Sequence, residues 1–241
     1  YPLLTRLFAQ LGVETQPSDM CFGVACERSG IEWGSRSLGA VFADPRNAMR
    51  PAFLRMLRDL RRFFREAPGL LEHDDHGKLA LGDWLCGAAY SREFADLFLV
   101  PMGAAIWSAT PGEFLRFPAR TFVRFFANHG LLSARASVPW RVVTGGSRRY
   151  VEALIAPFRD RIHLRSPVRA LRRDRAGVAL AVGGEWRRFD RVVLACHSDD
   201  ALRVLADASD LERRVLGAIR YQENDTLLHT DRQVLHEGVG V

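Results

Sequence analysis

The segment Ile162–Ala195, IHLRSPVRALRRDRAGVALAVGGEWRRFDRVVLA, sets the fold class. Two apolar stretches, Val168 to Leu171 and Val178 to Val182, flank the turn residues Asp174 to Gly177. A second turn, Gly183-Gly184, leads to Trp186–Phe189. Short β-prone runs separated by glycine-bearing turns predict antiparallel strands, because glycine adopts the positive φ that tight hairpins require. Val192-Val193-Leu194-Ala195 is apolar throughout, the pattern of a parallel strand covered on both faces. Ile162-His163-Leu164 reads as a strand beside it. The expectation is a three-stranded meander whose end re-enters a parallel sheet next to Ile162–Leu164, followed by a helix capped by Ser198.

Working outward, Arg141 to Thr144 reads as a short strand, Gly145-Gly146-Ser147 as a tight turn, and Tyr150 to Phe158 as a helix. Residues 13–140 have a different character. Leu3 to Leu11 forms an amphipathic helix closed by Gly12. Met20, Phe22 and Val24 alternate up to a turn at Ser29-Gly30, and Ile31-Glu32-Trp33 returns as the second arm of a hairpin. From Arg50 the period becomes helical, with Phe53, Leu57, Leu60 and Phe64 recurring until Pro68-Gly69. Leu79 to Phe126 reads as several short helices. Pro118 opens the last of them, where a missing N–H costs nothing, and Asn128-His129-Gly130 ends it. The fold class expected is mixed α/β (α+β): residues 1–140 mostly helical with a small antiparallel sheet, residues 141–241 built on the meander.

Composition narrows the function. The 241 residues are 48% hydrophobic and 26% charged, a globular mixture long enough for a sizeable core. No apolar run reaches the roughly 18 residues of a membrane-spanning helix. The net charge of +6 invites a nucleic-acid reading. The cations, 33 arginines and Lys78, are instead scattered among acids without aromatic platforms, which argues against nucleic acid. Four cysteines without a close pair argue against disulfides or zinc and point to a reducing cytoplasm.

Several segments form an ordered set: PMGAAIWS from Pro101, FPARTFVRFFANHGLL from Phe117, WRVVTGGSRRYVEAL from Trp140, FDRVVLACHSD from Phe189, and the tail Tyr221 to Asp231. Together they resemble a bacterial family of NAD/FAD-binding flavoproteins within the flavin-containing amine oxidoreductase superfamily. That superfamily includes monoamine oxidases, protoporphyrinogen oxidase and phytoene desaturases. The resemblance implies a substrate domain over residues 13–140 and the middle of an FAD domain over residues 141–231. It implies that Pro167 and Val168 pass the adenine, through the Val168 backbone, and that Ala195 and Cys196 come near the dinucleotide. Met102, Ala105, Ile106, Trp107 and Ser108 would line the substrate cavity near the flavin, Trp107 alternatively being a core residue. No GxGxxG lies between a strand and a helix, so the chain is expected to be an internal piece lacking the pyrophosphate turn, with FAD weak or absent in it.

The activity implied is hydride removal from, or desaturation of, a small apolar and lipid-like substrate. Hydride transfer to a flavin often needs no acid–base residue, and no catalytic group or metal site is assigned. Cys196-His197 resembles an activated thiol only in sequence, since neighbours on a strand point apart. His73-Asp74-Asp75-His76 reads as a polar loop. Arg141 and Arg148 suit either an anion or surface pairing. Two rivals stand beside the enzyme reading: a non-catalytic ligand- or partner-binding domain, and a peripheral membrane protein using an exposed Phe53–Phe64 face.

Overall fold

A computed structural model describes residues 1–18, 21–72, 79–132, 139–225, 227–228 and 230. They divide into two compact units, the first Tyr1–Val151 together with the described residues after 227, the second Glu152–Leu227.

In the first unit, α1 (Pro2–Leu11) ends at Gly12, whose left-handed φ of 64° closes the helix. Strand β1 (Thr15–Pro17) pairs antiparallel with β4 (Arg141–Val143), Thr15 opposite Val143, so the chain leaves and returns through one ladder. Between them β2 (Gly23–Cys26) and β3 (Ile31–Gly34) form the expected hairpin around Gly30. Two helices follow, α2 (Leu38–Val41) and the long α3 (Pro51–Glu66). Then come α4 (Leu81–Gly87), α5 (Arg92–Phe94), a π-turn at Ala95–Leu99, α6 (Val100–Trp107), α7 (Pro111–Leu115) and α8 (Ala119–Asn128). Helix α9 (Arg148–Ile155) carries the chain toward the second unit.

The core of the first unit is aromatic. Phe53, Phe63, Phe94, Phe114, Phe122 and Phe126 are all fully buried. Helix α3 buries Phe53, Met56, Asp59 and Phe63, with Leu57, Leu60 and Phe64 packed at the margin. This corrects the sequence reading in two respects. The buried stripe is centred on Met56 and Phe63, and the face offered to a membrane is already spent on the core. No described helix is long and apolar enough to cross a membrane.

The second unit contains the meander: β5 (Val168–Asp174), β6 (Gly177–Val182) and β7 (Glu185–Phe189), antiparallel in that order. Both turns fall where the glycines demand, with φ of 133° at Gly177 and 61° and 88° at Gly183 and Gly184. A Cβ on Gly177 would also meet the Phe189 carbonyl oxygen at 2.5 Å. One face packs through Leu171, Val178 and Leu180 on α10 (Ser198–Val204) and α11 (Asp210–Ala218), where Leu202, Leu205 and Leu216 close a small core.

Two expected strands are not formed. Ile162–Leu164 and Val192–Ala195 have no regular structure, and Leu164 and Val193 are 81% and 89% exposed. A strand exists through its neighbours' hydrogen bonds, and no described strand pairs with either segment. The cap of α10 is also corrected. His197 occupies the cap position, while the Ser198 hydroxyl donates to the Leu216 carbonyl and ties α10 to α11.

Candidate functional site

The residues singled out from sequence lie in both units. In the first, Gly103-Ala104-Ala105 lets α6 approach α7 closely: a Cβ on Gly103 would stand 2.1 Å from the Phe114 ring. This close packing delivers Trp107, at the end of α6, into a ring cluster. Its centroid lies 4.7 Å from Phe125, 5.4 Å from Phe117, 5.8 Å from Phe122 and 6.0 Å from Phe114. His129 extends the cluster, stacked on Phe125 at 4.0 Å, with one ring nitrogen 2.8 Å from the Phe125 carbonyl. Ser108 then reverses the chain at φ 51°.

Helix α6 divides its candidate residues by periodicity. Met102 and Trp107 are half-buried against the aromatic core, whereas Ala105, Ile106 and Ser108 are exposed. The result is an aromatic floor turned inward and a small-residue and aliphatic face turned outward. Arg141 is taken up locally, donating to the Thr15 hydroxyl at 2.8 Å and to the Thr15 carbonyl.

In the second unit, Val168 begins β5, an edge strand, and pairs with Val182. Exposed Pro167 precedes it and borders a cavity of about 320 Å³ beside the Gly183-Gly184 turn. Ala195 and Cys196 are exposed, in a segment without regular structure that leads into α10. Next to them His197 stacks flat on Tyr221 at 4.1 Å, and the Tyr221 hydroxyl accepts the Ser198 N–H at 2.9 Å. Sequence reasoning passed over this pair because the two residues are far apart in the chain. His197, Asp199 and Asp200 bring possible ligand atoms within 4.8 Å of one another, but Arg203 pairs with both carboxylates, at 3.8 and 2.6 Å. His73–His76 lies outside the described residues.

The sequence profile of the family described as flavin containing amine oxidoreductase matches residues 1–227. The chain belongs to that family. Among solved structures, this chain is similar to putrescine oxidase. A triple mutant from a redesign of cofactor binding superposes with a TM-score of 0.62 at 16% identity, over 90% of this chain and 49% of that one. The wild type bound to putrescine gives a TM-score of 0.60 at 15% identity, with the same coverage. At these identities the likeness is one of fold, and the chain spans about half the length of those structures. Comparison with curated proteins gives no match.

The family is a flavin-containing one, and the residues to compare with its FAD are Pro167 and Val168. An edge strand offers outward backbone groups to a planar base, and Val168 opens β5 as such an edge.

Proposed function

We propose that the complete protein is an FAD-dependent oxidoreductase that removes hydride from a small, apolar, lipid-like substrate. The match of the flavin-containing amine oxidoreductase family along residues 1–227 carries this reading. The proposed division of roles gives residues 1–140 to the substrate and residues 141–241 to FAD. When bound, FAD supplies a hydride acceptor.

The chain's own residues contribute position. Pro167 and the Val168 backbone hold the adenine, and Ala195 and Cys196 stand near the dinucleotide. Met102, Ala105, Ile106, Trp107 and Ser108 form the wall against which substrate lies. The indole's ring cluster packs behind that wall and keeps it rigid. Putrescine, found in a structural neighbour, is a dication. The α6 face is instead made of alanine and isoleucine, and this favours an apolar substrate.

The test is a spectrum and a titration. Purified full-length protein is expected to show flavin absorbance, bleached anaerobically by an apolar substrate more readily than by a diamine. A colourless full-length protein that cannot be reconstituted with FAD retires the reading and favours a non-catalytic binding domain. This chain alone, holding the adenosine contacts without a GxGxxG turn, is expected to be nearly colourless.

A further inference from the structure

Helix α3 hides its aromatic side in the core of the first unit and turns its other side outward. That outer side carries Leu54, Arg55, Arg58, Arg61 and Arg65, all exposed, with partly buried Arg62 at its edge. The five arginines span about 15 Å of helix at the ordinary rise per residue. Three carboxylates meet them: Asp59 takes Arg58, Glu66 takes Arg62 and Arg65, and Glu93 takes Arg55. Arg61 forms no ion pair among the described residues. Five arginines against three carboxylates leave the face positive. Arg65 is 72% exposed even while paired, and water weakens such a pair enough for another anion to replace it. Arg58, Arg61, Arg62 and Arg65, with Asp59, border a cavity of about 470 Å³.

A second feature lies at the N-terminal end of the same helix. Leu54 is exposed on the stripe that Arg58, Arg61 and Arg65 continue, one, two and three turns further on. Met49, just before α3, is 80% exposed, and Leu38 of α2 is 81% exposed. The Phe42 ring, itself partly exposed, lies 5.9 Å from that of Phe53 and brings the end of α2 beside the first turn of α3. Large apolar side chains in water beside a row of guanidinium groups fit a partner that is anionic at its surface and apolar beneath it. A lipid bilayer has that layering. A nucleic acid supplies phosphates but no apolar layer to receive leucine and methionine.

We infer that the outer face of α3 docks on an anionic lipid bilayer. Its guanidinium groups meet lipid phosphates, which they bind in bidentate fashion, while Leu54, Met49 and Leu38 enter the headgroup layer. The aromatic stripe of the same helix stays in the core and takes no part. Such docking gives access to a lipid-like substrate of the kind proposed above. Vesicle binding is read without substrate or flavin, so the docking and the hydride chemistry can each fail alone.

The test is co-sedimentation of the full-length protein with vesicles at physiological ionic strength. Vesicles of phosphatidylglycerol and phosphatidylcholine in equal parts are expected to carry the protein down, and pure phosphatidylcholine vesicles to leave it in solution. Added salt should release it, because the attraction is screened. Arg61→Ala and Arg65→Ala should each weaken binding about fivefold, the contribution of one basic residue close to an anionic surface. Leu54→Gln, which keeps helix propensity, should weaken it by a smaller factor. All three variants should melt close to the parent, since the side chains they change are exposed. Arg203→Ala removes the same charge from α10, at a similarly exposed position, and should bind as the parent does. Equal loss in Arg203→Ala, unchanged binding in Leu54→Gln, or equal capture by neutral vesicles overturns the assignment. So does binding to a DNA duplex as tight as to the anionic vesicles.

Discussion

Gly103 and Phe114 occupy one space: the ring edge stands where a Cβ on the glycine would be, 2.1 Å from its ideal position. Helices α6 and α7 meet through that contact, and Trp107 is positioned by it, stacked on the same ring at 27°. Gly103→Ala gains about 1 kcal/mol of helix propensity and forces a clash whose relief costs about 1–3 kcal/mol or more. Net destabilisation is expected by thermal melting. Phe114→Leu in the same chain should recover part of the loss, and a strictly additive double mutant would show the contact to be absent.

Trp107 can act as cavity wall or as core. Trp107→Ala removes contacts with four phenylalanines, and a core indole lost in this way costs roughly 3–5 kcal/mol. If Trp107 is wall as well, full-length Trp107→Ala reduces its flavin more slowly per folded molecule while still holding FAD. Thermal midpoint and single-turnover reduction on one preparation separate the two. A lowered midpoint with an unchanged reduction rate leaves Trp107 a packing residue.

Asp59 is a carboxylate in an aromatic core, its side chain 1% exposed. It accepts the Ser91 N–H at 2.8 Å, at the start of α5, and the Arg58 guanidinium at 3.1 Å. Asp59→Ala leaves that N–H unsatisfied and is expected to cost about 2 kcal/mol in a denaturant melt, with Asp59→Asn costing less. Equal losses in the two variants would mean that an acceptor oxygen at this position contributes nothing.

Glu212 titrates unusually. The Arg173 guanidinium, joined to it by two bonds of 2.5 and 2.9 Å, and then Ser209 at the start of α11, hold its pKa down to about 2, from an ordinary 4.5. A depressed carboxylate stabilises the fold fully above its unfolded value and loses that contribution as pH falls through its folded one. The midpoint of the parent chain should therefore drop between pH 4.5 and pH 2 by more than that of Arg173→Met. Parallel acid profiles for the two would remove the pair from the account.

The sequence by itself determined the local features, whose rules act within a few residues. The meander turns at Asp174–Gly177 and Gly183-Gly184, the Gly12 stop and the Ser29-Gly30 hairpin are set by φ preferences that no distant contact has to supply. The family was legible too, through motifs in their order. Tertiary structure alone decided what depends on partners. Val192–Ala195 has a strand's composition without a ladder, and α3 buries Asp59 because Ser91, 32 residues away, brings it an N–H. His197 finds Tyr221 and Arg169 is turned by a bulge, since side-chain neighbours are set by how the elements pack and not by spacing along the chain.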